Sequence, residues 1–224
     1  CSLHGQTTGW ESELFAPSAV KIQVELDAAV IARGQVGVNH AIQAGSLEFI
    51  EALLAVSAET AAPDWSAWRA CTQSWKERYP VSNEAHEHSD AVNFYYFAEE
   101  LSRMLADDAC VVADAGSAFY VMGQALRVKK GQRFISSGSM GAMGFALPVA
   151  NGAATTGAAG PTVCVTGDGS LMTNVHELST MSHFGLNVKL FVINNDGYVS
   201  MRNTQRDFLG AHYVGADIRS GVFI

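Results

Sequence analysis

Two apolar runs that each end in a polar turn constrain this chain more than any other feature of its sequence. The run 161–166 ends in a Gly-Asp-Gly-Ser turn at 167–170, and the run 188–193 ends in Asn-Asn-Asp-Gly at 194–197. A helical pattern lies between the two runs. If both runs are neighbouring parallel strands, their carboxyl ends meet at one edge of a sheet. The sequence therefore predicts that a carboxylate and a side-chain amide lie close together at that edge.

Strand and helix patterns alternate along the chain from residue 91 onward. Apolar runs predict buried strands at 109–113, 134–135, 161–166 and 188–193, and helical spacing predicts the segments between them. These helices are expected at 92–105, at 119–126, up to residue 154, and at 171–184. This order is typical of an α/β protein with a doubly wound parallel sheet and helices on both faces.

Composition and charge exclude several classes of function. The chain has 224 residues, of which 48% are hydrophobic, and its formal net charge is −8. No basic patch is visible, so nucleic acid is not an expected partner. No run approaches the roughly 18 apolar residues of a membrane span, so no membrane association is expected. Cys110 and Cys164 lie in apolar runs without paired spacing, which predicts core thiols in a reducing, cytoplasmic compartment.

The polar turns carry ligands that suit a divalent cation bound to a diphosphate. Mg²⁺ prefers oxygen ligands and usually takes one or two protein carboxylates together with phosphates and water. Asp168 offers a carboxylate oxygen, Asn195 a side-chain amide oxygen and Gly197 a backbone carbonyl. We expect these three residues to hold Mg²⁺.

Backbone amides at two strand ends predict the position of the diphosphate. Gly169 and Ser170 open a helix, where amide groups point toward an anion, and the Ser170 hydroxyl adds a donor. Gly116 and Ser117, at a neighbouring strand end, offer a second set of donors. We expect the two sets to hold one diphosphate between them.

Simpler interpretations of these turns stay open at this point. Asp168 could only cap the following helix, and 194–197 could only be a turn. Other phosphate motifs do not fit: the sequence has no G-x-x-x-x-G-K-[ST] element, and the stretch 138–144 lacks the third glycine of G-x-G-x-x-G. A P-loop is therefore excluded, and a nicotinamide site is disfavoured.

On these residues the chain resembles the thiamine diphosphate-dependent enzymes. Gly-Asp-Gly at 167–169, followed by Asn-Asn at 194–195, is similar to the cofactor motif of that family. The segment 139–148 (Ser-Met-Gly-Ala-Met-Gly-Phe-Ala-Leu-Pro) resembles the G-x-M-G-F-x-L-P stretch of its acetolactate synthase-like branch. The resemblance covers residues 91 to about 215 and implies the thiamine diphosphate-binding fold.

The resemblance also implies a domain organisation. Residues 1–56, with a strand at 20–26 and a helix at 46–55 capped by Ser46, resemble the tail of the family's central domain. Residues 57–90 are expected to form a helix-containing linker. Residues 91–224 correspond to the diphosphate-side domain, which we expect to be incomplete at its C-terminus.

The resemblance assigns the metal and diphosphate ligands to the same residues that the chemistry of the turns indicates. It adds that the Gly141 carbonyl accepts a hydrogen bond from the aminopyrimidine of the cofactor. It also implies that Met143 lies under the bend of the cofactor and forces its V shape. Core packing is the alternative for Met143, and Met140 is the expected core residue of the two.

The activity implied by the resemblance is decarboxylation of a 2-oxo acid such as pyruvate with carboligation. The family's activating glutamate lies in a separate N-terminal domain and acts across a dimer interface, and no segment of this chain resembles that domain. We therefore expect no catalytic residue in this chain, a homodimer or tetramer with the site at a subunit interface, and no activity for the isolated chain. Some relatives bind FAD in the central domain, but nothing in this sequence indicates it.

Departures from the family pattern leave the substrate open. The segment 199–206 lacks the Gln-Trp element of acetolactate synthases. A simple 2-oxo acid decarboxylase, a cyclic-diketone hydrolase and a non-catalytic cofactor-binding remnant remain as alternatives. Arg202 could pair with a substrate carboxylate or lie on a helix surface. His176 and His183, seven residues apart on one predicted helix, are expected on the surface or in core packing.

Overall fold

The chain forms two compact units, residues 1–75 and 76–224. The computed structural model describes residues 8–9, 11–34, 36–83, 88, 90–157 and 160–223. Each unit has its own parallel sheet.

The first unit is built on two parallel strands, β1 (Ile22–Glu25) and β2 (His40–Gln43), which are connected through the helix α1 (Ala28–Ala32). The helix α2 (Ser46–Ser57) follows, and then α3 (Ser66–Arg78), of which the last three residues belong to the second unit. The predicted strand at 20–26 and helix at 46–55 are confirmed. The predicted cap at Ser46 is wrong, because Gly45 has the extended backbone of the N-cap position and Ser46 is the first helical residue.

A four-stranded parallel sheet lies at the centre of the second unit. Its strands in chain order are β3 (Cys110–Ala113), β4 (Arg133–Ser136), β5 (Thr162–Gly167) and β6 (Val188–Ile193). They lie side by side in the order β4-β3-β5-β6, so the chain reverses its direction of travel across the sheet between β3 and β5. In doubly wound sheets, ligands bind beyond the strand ends at this reversal.

Helices cover both faces of this sheet. In chain order they are α4 (Phe94–Met104), α5 (Ser117–Ala125), α6 (Ala146–Thr155), α7 (Asp168–Thr173), α8 (Glu177–His183) and α9 (Val199–Phe208). Side chains of α4 and α5 pack with Val111 and Val163 on one face, whereas those of α6 and α8 pack with Val112 and Cys164 on the other. The predicted doubly wound α/β fold is confirmed. No helix among the described residues is long and apolar enough to cross a membrane.

The predicted helix at 171–184 is wrong as a single element. The structure has α7 and α8 there, separated by a turn that begins at Asn174, whose backbone leaves the helical region (φ −136°, ψ 32°). The Asn174 side chain instead donates to the Gly144 carbonyl, with 2.8 Å between the two atoms. A side-chain amide that finds a partner outside its own helix favours this break.

The predicted core thiols are confirmed for both cysteines of the sheet. Cys110 and Cys164 are 4% and 0% exposed. Burial raises the pKa of the Cys164 thiol to about 12, and the nearby Asp114 carboxylate adds to this effect. Both groups therefore belong to the core.

Candidate functional site

A cavity of about 370 Å³ opens beyond the carboxyl ends of β3, β5 and β6, where the strand order reverses. This volume lies within the range of small-ligand pockets, roughly 300–1,000 Å³. All nine residues that the sequence singles out as metal or cofactor ligands line this cavity. They are Gly116, Ser117, Gly141, Met143, Asp168, Gly169, Ser170, Asn195 and Gly197.

Asp168 joins the ends of two neighbouring strands at this cavity. Its side chain is buried, and its Oδ2 atom accepts hydrogen bonds from the backbone nitrogens of Asn195 (3.2 Å) and Gly197 (2.8 Å). Its Oδ1 atom accepts from the Gly169 nitrogen at 2.8 Å. The alternative in which Asp168 only caps its helix is wrong, because Gly167 occupies the N-cap position and Asp168 is the first helical residue. Its carboxylate instead orients the turn after β6. An ionised carboxylate has about four lone-pair positions, so three hydrogen bonds leave room for a cation.

The side-chain oxygen of Asn195 is buried and lacks a hydrogen-bond partner among the described residues. A buried polar atom without a partner costs about 1–3 kcal/mol, so native structures rarely leave one without a reason such as an absent ion. The Gly197 carbonyl accepts one hydrogen bond, from the Val199 nitrogen at 3.1 Å, and keeps its second lone pair. Asp168, Asn195 and Gly197 together present the hard oxygen atoms that Mg²⁺ prefers.

Segment 194–197 is a tight turn as well as part of the cavity wall. The Asn194 side chain accepts from the Asp196 nitrogen at 3.1 Å, and Asp196 and Gly197 both have positive φ (61° and 111°). The Arg202 guanidinium donates hydrogen bonds to the backbone carbonyls of Asn195, at 2.7 Å, and of Asp196. Segment 194–197 is therefore a turn, and Asn195 and Gly197 also line the cavity.

Arg202 itself has a role that the sequence did not indicate. Its guanidinium faces the turn carbonyls and lies 3.9 Å from the Asp217 carboxylate. Its side chain is 23% exposed, so the expectation of a plain surface arginine does not describe it. The Arg202 guanidinium is therefore bound to carbonyl and carboxylate groups of this protein.

The donors expected for a diphosphate lie on the opposite wall. Gly116 has φ 63° and ψ −135°, a backbone conformation that glycine adopts readily, and it precedes the first residue of α5. No side chain in the described part of the chain caps this helix, so the amides of its first turn keep their donor capacity for an anion. Across the cavity, Ser170 lies buried in the first turn of α7.

The Tyr198 ring packs closely against Gly169, a contact that the sequence analysis did not predict. A Cβ atom added to Gly169 would lie 2.6 Å from both Cδ1 and Cε1 of the Tyr198 ring. Only glycine fits at this approach. The sequence signal for this contact is the aromatic residue that directly follows the turn at 194–197, because its ring lies close to the neighbouring strand end.

The segment that carries Gly141 and Met143 forms the remaining wall. Gly141 adopts the left-handed conformation (φ 56°, ψ 34°) after a short 3₁₀ turn, Gly138–Met140. Met143 is 48% exposed beside the cavity, which disfavours the core-packing alternative. The expectation that Met140 lies in the core is wrong: it is 85% exposed, because the 3₁₀ turn directs it to solvent.

The two histidines lie outside this cavity. His176 is the residue before the first turn of α8, with its side chain 71% exposed, and His183 stacks edge-on against Phe184 at a centroid distance of 4.8 Å. The break after α7 removes the shared helical face that the sequence predicted for them. Both histidines are exposed, which confirms the expectation that they lie on the surface.

Comparison with known proteins agrees with this geometry. Residues 114–221 match the family model described as thiamine pyrophosphate enzyme, C-terminal TPP binding domain; thiamine pyrophosphate is thiamine diphosphate. The chain is 33% identical to the acetolactate synthase large subunit of Parasynechococcus marenigrum (strain WH8102), over 94% of this chain and 33% of that protein. It is 30% identical to the acetolactate synthase large subunit of Cyanidium caldarium, over 92% and 35%.

A third relative gives the same result. The acetolactate synthase isozyme 1 large subunit of Escherichia coli (strain K12) is 29% identical over 83% of this chain and 32% of that protein. The chain thus spans about a third of the length of the curated relatives it matches.

Proposed function

Because residues 114–221 belong to the thiamine pyrophosphate enzyme family as its C-terminal cofactor-binding domain, in the acetolactate synthase-like branch, we propose that this protein is a Mg²⁺-dependent enzyme that acts on a 2-oxo acid such as pyruvate. The proposed reaction is decarboxylation followed by carboligation. The observation that carries the metal part of the proposal is the buried, unpartnered Asn195 oxygen in the cavity that Asp168 also lines. The reaction is proposed from the family.

The metal proposal assigns Mg²⁺ to Asp168, Asn195 and Gly197. Three backbone amides hold the Asp168 carboxylate in place, which limits the rotamer entropy that metal binding costs. The Asn195 oxygen gains the partner it lacks, and the Gly197 carbonyl uses its free lone pair. These oxygens leave coordination positions for the diphosphate and water, as Mg²⁺ sites usually do.

The diphosphate proposal places the anion between the two helix starts. Gly116 and Ser117 donate from the start of α5, and Ser170 from the start of α7. The expected donor Gly169 lines the same cavity, but its amide already donates to the Asp168 carboxylate. Thiamine diphosphate, when bound, supplies the carbanion stabilisation that cleavage and formation of bonds next to a carbonyl require. The residues of this chain bind and orient it.

The Gly141 carbonyl and the Met143 side chain are proposed to set the orientation of the organic part of the cofactor. The resemblance places the activating glutamate in an N-terminal domain that none of these 224 residues resembles. We therefore propose that the purified chain alone is inactive and that the complete site forms at an interface between subunits of a homo-oligomer. A cytoplasmic location remains part of the proposal.

Product analysis of the intact natural protein with pyruvate, thiamine diphosphate and Mg²⁺ tests the proposed reaction. Acetolactate as the product supports carboligation. Acetaldehyde as the sole product would assign a simple decarboxylase instead. Cofactor binding without any product from pyruvate or other 2-oxo acids would favour a non-catalytic cofactor-binding protein.

A further inference from the structure

Asp114 is a buried carboxylate that touches three separate segments at the edge of the cavity. It follows β3 directly and is 1% exposed. Its Oδ1 atom accepts from the backbone nitrogens of Ala115 (2.8 Å) and Gly144 (3.0 Å). Its Oδ2 atom accepts from the Ala146 nitrogen (3.1 Å) and the Thr166 hydroxyl (3.0 Å). Four donors thus converge on one side chain.

Two of these donors belong to the segment that follows Met143. Gly144 is held on both sides, because its nitrogen donates to Asp114 while its carbonyl accepts from the Asn174 side chain at 2.8 Å. Gly144 also has φ 75°, and an added Cβ would lie 1.9 Å from the Thr173 hydroxyl oxygen. The chain has little freedom at this point, and Met143 is attached directly to it.

We propose that Asp114 is a positioning residue that fixes Gly141 and Met143 at the wall of the cavity by holding the amides of Gly144 and Ala146. Charge-assisted hydrogen bonds are stronger than neutral ones, and a carboxylate supplies enough acceptor positions for all four donors. Asp114 lies behind the wall and acts through the backbone. Its role for a ligand rests on the proposed function, whereas its hold on the segment does not.

Asp114→Asn is the sharpest variant. Each carboxylate oxygen accepts from one amide of the segment, Oδ1 from Gly144 and Oδ2 from Ala146. Replacing either oxygen by an NH₂ group therefore deprives one of these amides of its acceptor, whichever way the new side chain is turned. Amide hydrogen exchange, measured by NMR without ligand, reports this directly. We expect exchange at Gly144 or Ala146 to accelerate at least about tenfold, as for a lost bond to a charged group.

Ser102→Ala is the matched control for a general loss of stability. Ser102 is buried at 3% exposure, and its hydroxyl donates to the Ala98 carbonyl and accepts from the Arg127 nitrogen, away from the cavity. Its removal should leave the relative protection of Gly144 and Ala146 unchanged. Thr166→Val serves if the Asp114 variant does not fold, because it removes one donor and keeps the carboxylate. It should accelerate the same amides by a smaller factor, about two- to threefold.

Binding measurements on the intact natural protein separate this inference from the proposed function. With Mg²⁺ present, Asp114→Asn should weaken thiamine diphosphate binding at least about fivefold and inorganic diphosphate binding less than about twofold, because only the former uses the Met143 wall. A folded variant in which hydrogen exchange at Gly144 and Ala146 is unchanged would overturn the inference. An equal weakening of thiamine diphosphate binding and inorganic diphosphate binding would overturn it as well. If the unmutated protein binds neither ligand, the proposed function fails, and the exchange result still decides the role of Asp114.

Discussion

The Oδ2 atom of Asp168 lies 2.8 Å from the backbone nitrogen of Gly197 and accepts a hydrogen bond from it. Asp168 follows β5 and Gly197 follows β6, so one bond joins the ends of two adjacent strands. The proposed metal ligands are therefore arranged by contacts of the protein itself.

Asp168→Asn tests the anionic ligand of the proposed metal site. The variant keeps the shape of the side chain but loses the charge that a divalent cation requires. We expect Mg²⁺-dependent binding of thiamine diphosphate to weaken by at least about tenfold. Removal of a residue that only hydrogen-bonds to a metal ligand already weakens metal binding by about that factor, and Asp168 is proposed as a ligand itself. Asp196→Asn removes the same charge from an exposed neighbour in the same turn and should have little effect. Equal affinities for the two variants would contradict the role of Asp168.

Arg202→Ala tests whether the guanidinium holds the turn at 194–197, which carries two of the proposed metal ligands. Without its bonds to the carbonyls of Asn195 and Asp196, the turn should lose order. We expect Mg²⁺ affinity in the presence of thiamine diphosphate to fall about three- to tenfold, which corresponds to one or two weakened hydrogen bonds. Arg206→Ala is the control, because Arg206 is exposed and pairs only with Asp207 among the contacts described for it. A titration of Mg²⁺ that gives the same midpoint for both variants would exclude this role.

Gly169→Ala tests the close approach of Tyr198. The new methyl group would require the ring to move, because it would lie 2.6 Å from two ring carbons. Displacement of Tyr198 disturbs the wall shared by Gly169 and Gly197, so we expect a strong loss of thiamine diphosphate affinity. Gly123→Ala, inside α5 with nothing within 4 Å of the new methyl group, should stabilise the fold by up to about 1 kcal/mol. Thermal unfolding and calorimetric titration of both variants provide the comparison.

Glu99→Gln should reveal a pH-dependent contribution to stability. A hydrogen bond from Ser82, supported by Arg127, holds the pKa of the Glu99 carboxyl below its usual value of 4.5. A carboxyl with a lowered pKa in the folded state stabilises the fold above its unfolded-state pKa, and this contribution is lost as the pH falls through the folded-state pKa. The variant should therefore be less stable by about 1 kcal/mol at pH 7.

This difference should shrink toward zero as the pH falls below 4.5 and through the lowered folded-state pKa of Glu99. Urea unfolding at neutral and acidic pH measures it. Glu100→Gln is the control, because Glu100 pairs with Arg103 at the surface, where ion pairs contribute little. A difference for Glu99→Gln that is the same at both pH values would contradict the assigned contribution.

Much of the fold and of the site is predictable from the sequence because the signals are local. The apolar runs at 161–166 and 188–193 mark buried strands, and the polar turns that follow place Asp168 beside Gly197 once the strands are adjacent. The same logic brings Gly116 to the neighbouring strand end. Side chains that follow parallel strands meet at one edge whatever their separation in sequence.

The parts that the sequence did not predict depend on partners far along the chain. Asp114 bonds to Gly144 and Ala146, which lie 30 and 32 residues away, and no periodicity marks these pairs. Asn174 ends α7 and bonds to the Gly144 carbonyl, also 30 residues away. Helical spacing around Asn174 continues without interruption, so only the tertiary contact shows where the helix stops.

Isothermal titration of the intact natural protein with thiamine diphosphate, with and without Mg²⁺, is the decisive measurement for the proposed cofactor site. The unpartnered Asn195 oxygen and the Asp168 carboxylate lead us to expect clear binding with Mg²⁺ and little or none when the metal is chelated. Binding of equal affinity without Mg²⁺, or no binding under either condition, would contradict the account.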